Sequence, residues 1–339
     1  MNPAATRRFG RVDLRVSPLG FGGGPIGNIF RPVTEEDAVA IVAEAWNAGV
    51  RFFDTAPMYG HGLSEARLGA ALRWRPRDEF VISTKVGRVL TPAPRASIDF
   101  RPWVEGLPNR MRFDYSYDGT MRSLEDSLQR LGLERIEIVF IHDCDVFTHG
   151  PQHQPGRFRE ALDGAYRALD RLRSEGVVRA IGMGVNEWQV CHAALLERDF
   201  DCFLLAGRYT LLEQEALDAF LPLCEARGAA VVLGAAYNSG VLATGAVPGA
   251  KYNYAPAPEP VLARVRRMEA ICARHGVPLK AAAMQFVLGH PAIPTTVPGC
   301  RSVEQMADTI AAFRHDIPAD FWAELKHEGL IRADAPVPE

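Results

Sequence analysis

Three apolar runs in this chain each stop at a residue that can hold or move a proton. The first is Phe52-Phe53-Asp54, with Tyr59 five residues beyond the aspartate. The second is Val81-Ile82-Ser83-Thr84-Lys85, and the third is Ile138-Val139-Phe140-Ile141-His142. Uninterrupted apolar runs of this length read as strands buried on both faces. Ionisable residues where buried parallel strands end are where α/β barrels carry their catalysts. A phenol titrates at roughly 10, so it needs a neighbouring ammonium before it can exchange protons near neutrality. A buried ammonium in turn needs a carboxylate, because an unpaired buried lysine costs several kcal/mol. Tyr59, Lys85 and Asp54 therefore read as one proton-transfer unit.

The elements that must position these residues alternate between strand-like and helix-like segments, the pattern of a parallel sheet covered by helices. Eight strands are expected at Leu19–Gly22, Arg51–Asp54, Phe80–Lys85, Ile136–His142, Ala180–Val185, Phe203–Ala206, Ala230–Gly234 and Ala292–Thr296. A hairpin around Gly10, from Arg7 to Val16, is expected to close the barrel floor. Thr34 with Asp37 predicts a capped helix ending at Ala48-Gly49, and Ser302 caps another running to about Phe313. Long loops are predicted at 87–117, 143–156 and 243–260, rich in Gly, Pro and aromatic residues. They follow strands, so they should project over the site as lids.

The chain has 339 residues, 47% of them apolar, which suits one large (β/α)8 domain spanning 1–339. A net charge of −3 with interspersed signs gives no reason to expect a nucleic acid or an anionic membrane as partner. Neither a signal-like segment nor a bilayer-length apolar stretch is evident, so a cytoplasmic protein is expected. The six cysteines form no Cys-x-x-Cys pair and read as packing residues; Cys144, near His142, is a minor nucleophile candidate. His149 and His153 have metal-like spacing but fall in a Gly/Pro-rich stretch, so no metal site is expected. Ser64 reads as a helix cap, with Glu65 complementing the helix dipole and Arg67 structural. Gly22-Gly23-Gly24-Pro25-Ile26-Gly27 mimics a dinucleotide fingerprint, but Pro25 interrupts it and no helix follows directly.

From Leu19 to about Phe313 the chain resembles the aldo-keto reductase superfamily. The resemblance rests on Asp54-Thr55-Ala56-Pro57-Met58-Tyr59-Gly60 with Ser64-Glu65, on Ser83-Thr84-Lys85, and on Ile141-His142-Asp143. Gly182-Met183-Gly184-Val185-Asn186-Glu187-Trp188 and Leu205 to Gln214 are similar to the aldose 1-dehydrogenase branch, of the L-fucose/D-threo-aldose type. The resemblance implies a (β/α)8 TIM barrel with an N-terminal hairpin, and an Asp54/Tyr59/Lys85/His142 tetrad around a nicotinamide cofactor. His142 would then orient the substrate oxygen.

Cofactor contacts are expected from Gly22, Gly23 and Asp54 near the nicotinamide, with Gly184 and Asn186 after the fifth strand. The loop after the seventh strand, through Ala235, Tyr237, Asn238, Ser239, Gly240 and Leu242, should cradle the pyrophosphate with backbone N–H groups. Gly299, Arg301 and Gln305 lie at a helix N-terminus suited to an anion, where Arg301 could clamp a 2′-phosphate. That favours NADP over NAD, with dual use open. The family's amide and aromatic positions around the ring correspond here to Gly184-Val185, Ala206 and Gly234. The implied reaction is oxidation of an aldose (L-fucose, L-galactose or D-arabinose type) at its anomeric carbon to a lactone, by a monomer or small homo-oligomer. Pyridoxal oxidation, general aldehyde reduction, or a non-enzymatic cofactor-sensing subunit are the alternatives.

Overall fold

The computed structural model describes residues 1–338. Eight short parallel strands form one sheet: β1 (Phe21–Gly22), β2 (Phe52–Asp54), β3 (Val81–Val86), β4 (Ile138–His142), β5 (Ala180–Val185), β6 (Cys202–Ala206), β7 (Ala230–Gly234) and β8 (Thr295–Val297). They neighbour one another in chain order. Leu19 bridges Thr296 in parallel, Gly20 N donates to Thr296 O at 2.8 Å, and Gly22 N donates to Pro298 O at 2.9 Å. Those contacts join β8 to β1 and close the ring into the expected (β/α)8 barrel. The outer strands are shorter and shifted relative to the apolar runs. Leu19 lies in a bridge rather than within β1, and β8 starts at Thr295 rather than Ala292.

Alternation along buried strands sends odd and even residues to opposite faces. Phe52, Val81, Ile138, Phe140, Ala180, Cys202, Leu204, Ala230 and Val232 form the inner core of the barrel. Phe9, Leu14 and Val16 join the same cluster from the Arg7–Arg8/Arg15–Val16 hairpin, so the hairpin plugs the floor as expected. The opposite parity packs beneath the helices: Phe53, Ile82, Val139, Ile141, Ile181, Met183 and Val185 belong to the larger outer core.

Helix α1 (Glu35–Asn47) starts where the cap predicts. Thr34 Oγ1 accepts from Asp37 N at 3.0 Å, and Gly49 follows the helix with φ 100°. Helix α2 (Leu63–Leu72) does not use Ser64 as its cap; Gly62 holds that place without a side-chain bond. Helix α3 (Tyr117–Leu131) is capped by Ser116, whose Oγ accepts from Gly119 N.

The predicted long loops are more ordered than their composition suggests. Residues Arg88–Pro92 and Asn109–Phe113 pair as an antiparallel ribbon after β3. The stretch after β4 is not a loop: α4 spans Val146–Glu160 and is kinked at Gly150 (φ 71°, ψ 160°). The break places Pro151 at the start of the second half, where a proline lacks no needed N–H. The 243–260 stretch holds a two-residue hairpin, Lys251–Tyr252 with Ala255–Pro256. No helix among the described residues is long and apolar enough to cross a membrane.

Candidate active site

Parity decides what reaches the mouth of the barrel. Asp54 shares the inner face with Phe52, Lys85 with Val81, and His142 with Ile138 and Phe140. Asp54 pairs in register with Ser83, Lys85 with Phe140, and His142 with Gly184. The strand ends thus set the three groups side by side around the rim.

Lys85 is 1% exposed and donates to Asp54 Oδ2 at 2.7 Å, Asp54 Oδ1 at 3.0 Å and Thr55 O at 2.8 Å. Ser83 Oγ also donates to Asp54 Oδ1, at 2.8 Å. The Lys85 ammonium lies 4.7 Å from the Tyr59 ring centroid. Burial acts against the charged lysine, but Asp54 and Tyr59 outweigh it, and the group ends above its ordinary value. Burial raises the Asp54 carboxyl, with Lys85 pulling the other way.

Tyr59 differs from the expectation of a depressed phenol. Burial pushes it up to about 12, and the Lys85 ammonium offsets only part of that rise. A protonated phenol is thus the resting form, and the ammonium limits how far it departs from neutrality. The His142 ring centroid is 6.1 Å from that of Tyr59. Burial, then Arg88 and Lys85, hold the imidazole neutral, well below its ordinary titration range. Trp103, carried on the excursion between the two ribbon strands, stands 5.4 Å from the Tyr59 ring, so that segment does cover the site.

Glu65 and Ser64 are more than helix punctuation. Glu65 is fully buried, accepts from Thr84 Oγ1 at 2.7 Å and from Arg130 Nε at 2.6 Å, and so ties α2 and α3 behind the lysine strand. Ser64 Oγ donates to Gly23 O at 2.7 Å and contacts Thr55 Oγ1 at 2.8 Å. Cys144 is buried beside Met183, and burial raises its thiol, so it is not a ready nucleophile. His149 and His153 lie on α4, not in a loop. His149 Nε2 is 3.0 Å from the Tyr115 hydroxyl, which donates to the carbonyls of His142 and Asp143 at 2.8 and 2.9 Å.

The inner rim changes character beyond β4. Continuing the same parity, the inward positions are Gly184 on β5, Ala206 on β6 and Gly234 on β7. A Cβ at Gly184 would lie 3.5 Å from Lys85 Cε, and one at Gly234 would lie 3.5 Å from Leu204 Cδ2, both ordinary contacts. The protein places no side chain larger than a methyl at these three positions. Val185 faces the outer core instead.

The expected cofactor contacts divide into groups. A Cβ at Gly22 would fall 2.6 Å from Val297 O, and one at Gly23 would fall 2.6 Å from Ser64 Oγ, so barrel closure demands the first glycine and the close approach of Ser64 the second. Asn186 N donates to Asp145 Oδ2 at 2.7 Å. Asn238 is spent internally: its Nδ2 donates to Gly207 O at 3.1 Å and its Oδ1 accepts from Thr210 Oγ1 at 2.5 Å. The N–H groups of Asn238, Gly240 and Leu242 bond to carbonyls within their own loop. Ala235 is exposed, Tyr237 OH contacts Met284 Sδ at 3.6 Å, and Ser239 Oγ accepts from Tyr254 N.

After β8, Ser302 caps helix Val303–Arg314, and Gln305 Oε1 accepts from Arg301 N at 2.9 Å. Gln305 therefore shapes the turn through Gly299, where a Cβ would strike Pro25 at 2.6 Å. Arg301 Nε is buried with no partner, and burial with the nearby charge of Arg31 lowers the guanidinium. An unmatched guanidinium beside a helix N-terminus fits an anionic phosphate. Together with the small residues of the rim, it fits a nicotinamide dinucleotide.

Sequence reasoning missed Arg88 and gave Asp143 no role. Both lie at the site: Arg88 Nη2 is 2.8 Å from Asp143 Oδ2, which is 3.5 Å from His142 Nε2. The only sequence signal was an arginine three residues past the lysine, in a stretch read as loop.

Comparison with known proteins agrees with this geometry. The model of the aldo/keto reductase family matches residues 18–328. The chain is 45% identical to a pyridoxal 4-dehydrogenase of Microbacterium luteolum over 334 residues, covering 96% of this chain and 97% of the relative. It is 39% identical to a D-threo-aldose 1-dehydrogenase of a Pseudomonas species, covering 94% and 96%. An L-galactose dehydrogenase of Arabidopsis thaliana is 30% identical, with 92% and 89% covered. In fold, a Bacillus halodurans aldo-keto reductase in its holo form superposes with a TM-score of 0.75 at 24% identity, covering 99% and 98%. With the barrel, the buried Lys85–Asp54 pair beside Tyr59 and this family match, the chain belongs to the aldo/keto reductase family and is an NAD(P)-dependent oxidoreductase.

Proposed function

We propose that the protein oxidises the hemiacetal carbon of a cyclic hemiacetal to a lactone, with an aldose as the substrate class. The observation that carries this reading is the buried Tyr59–Lys85–Asp54 unit beside a neutral His142. The bound nicotinamide supplies the hydride acceptor at its C4. Tyr59 takes the hydroxyl proton during oxidation, and Lys85 steadies the phenolate that this role requires. Asp54 and Thr55 O hold the ammonium in place. His142 is uncharged, so it hydrogen-bonds the reacting oxygen without adding a positive charge that would oppose hydride departure.

The cofactor would lie over Gly184, Ala206 and Gly234, with the loop from Ala235 to Leu242 alongside. Arg301 would meet an adenosine 2′-phosphate, which supports NADP. The whole chain acts as one domain in this reading. Pyridoxal is the second reading, favoured by the 45% identity to a pyridoxal 4-dehydrogenase. It belongs to the same chemistry, because free pyridoxal closes into a cyclic hemiacetal.

The test is a dehydrogenase assay with L-fucose, L-galactose, D-arabinose and pyridoxal, each with NAD and NADP, and lactone identified by mass spectrometry. Reduced cofactor with matching lactone from one sugar supports the proposal. Turnover of pyridoxal alone selects the second reading. No turnover of any of the four sinks both.

A further inference from the structure

Beside the proton-transfer unit lies a second buried ion pair. Arg88, the first residue of the ribbon, is 4% exposed and packs over the Phe113 ring at 4.6 Å. Its Nη2 reaches Asp143 Oδ2 at 2.8 Å, and among the described residues no other carboxylate pairs with it. Nε and Nη1 of Arg88 are buried without partners. Burial raises the Asp143 carboxyl, and the Arg88 guanidinium pulls against that rise and favours the charged form.

Asp143 is fixed from three sides. Its N–H donates to Gly184 O at 2.9 Å, its carbonyl accepts from the Tyr115 hydroxyl at 2.9 Å, and its carboxylate is held by Arg88. The backbone is left-handed, with φ 51°. A non-glycine residue keeps that conformation only where its surroundings enforce it, and such residues cluster at functional sites.

The carboxylate is under-used. An ionised carboxylate offers about four acceptor directions. Beyond Arg88, it has only the distant Asn186 Nδ2 at 3.4 Å and His142 Nε2 at 3.5 Å. Its side chain keeps 12% exposure, next to the His142 imidazole. A buried carboxylate with unused acceptor capacity is completed by a hydroxyl donor.

We propose that Asp143, clamped by Arg88, accepts a hydrogen bond from the substrate hydroxyl adjacent to the reacting carbon, and that this pair selects hydroxylated substrates over plain aldehydes. The proposal rests on the reading of the tetrad as a carbonyl–hemiacetal redox site. Arg88 acts through Asp143 and is a positioning residue.

Lactaldehyde and propanal differ by that one hydroxyl. Their reduction, with NADH and NADPH, gives a ratio of kcat/KM values for wild type and for Asp143→Asn. The ratio of lactaldehyde to propanal should fall about ten- to a hundred-fold in the variant, the span of a charge-assisted hydrogen bond. Should Asp143→Asn not fold, the Arg88→Met/Asp143→Leu double variant removes both charges together and is read by the same ratio. A ratio equal to that of wild type, whether both rates fall or neither does, overturns the proposal. Because the ratio is measured in aldehyde reduction, failure of the wild type to oxidise any cyclic hemiacetal leaves it intact as a separate result.

Discussion

The two halves of the barrel mouth are built on opposite plans. On the β2–β4 side the inward rim positions are Asp54, Lys85 and His142, all buried, with Asp54 and Lys85 ion-paired and the His142 ring beside Tyr59. On the β5–β7 side the same layer holds Gly184, Ala206 and Gly234, none with a side chain larger than a methyl. The contrast teaches that one half of the rim is defined by its ionisable side chains, whereas the other is defined by how little side chain it carries. Damage should therefore follow removal on one side and addition on the other.

The largest effect is expected from Tyr59→Phe, which keeps the ring and removes the proton. Turnover should drop roughly 10²–10⁴-fold with cofactor affinity nearly intact. Steady-state rates on cofactor-saturated enzyme decide this, and near-wild-type turnover would remove Tyr59 from the chemistry.

Lys85→Met strips the ammonium from the same side. Oxidation needs the phenolate, and burial already raises Tyr59 to about 12, so the wild-type rate should climb toward alkaline pH. The ammonium lowers that phenol, so its loss should move the climb to still higher pH, on top of a large fall in rate. A pH–rate profile of unchanged shape would deny Lys85 its tuning role.

Gly184→Val tests the opposite half by filling it. The added Cβ meets only ordinary contacts inside the protein, so the fold should hold. Overpacking against a bound nicotinamide should weaken cofactor binding, by about 1–3 kcal/mol. Titration by quenching of tryptophan fluorescence measures it; unchanged affinity would place the nicotinamide elsewhere.

The smallest effect is expected at the far edge. Arg301→Ala should weaken NADP by roughly tenfold, the low end for a charge-assisted contact on a half-exposed group, and leave NAD almost unchanged. Equal losses for the two cofactors would assign Arg301 to the adenine instead.

The same contrast explains what was legible in the sequence. Buried strands announce themselves as apolar runs, and a charged residue ending such a run is conspicuous, so Asp54, Lys85 and His142 could be read directly. Helix α4 could not, because Gly150, Pro151, Pro155 and Gly156 look like loop chemistry until the kink at Gly150 separates two helical turns. Ser64 read as a cap because its type suits one. Its true partners, Gly23 and Thr55, come together only once the barrel closes. The loop after β7 read as a phosphate cradle from its place after the seventh strand, yet several of its amides bond within the loop and Asn238 bonds Gly207 and Thr210. The Arg88–Asp143 pair was hidden because its halves are 55 residues apart.

Gly87 marks a seam. It separates Lys85 from Arg88, has φ 97°, and has no room for a side chain against the Tyr115 ring. Asp114 N donates to Gly87 O at 3.0 Å, so the ribbon leaves the barrel and returns to it at adjacent points. A segment with joined ends behaves as a cassette. Lineages, or protein engineers, can lengthen, shorten or exchange residues 89–113 without disturbing the strand that holds Lys85 or the Arg88–Asp143 pair. The strand that holds Lys85 and the ribbon that carries Trp103 can then diversify at different rates, although they occupy one continuous stretch of chain.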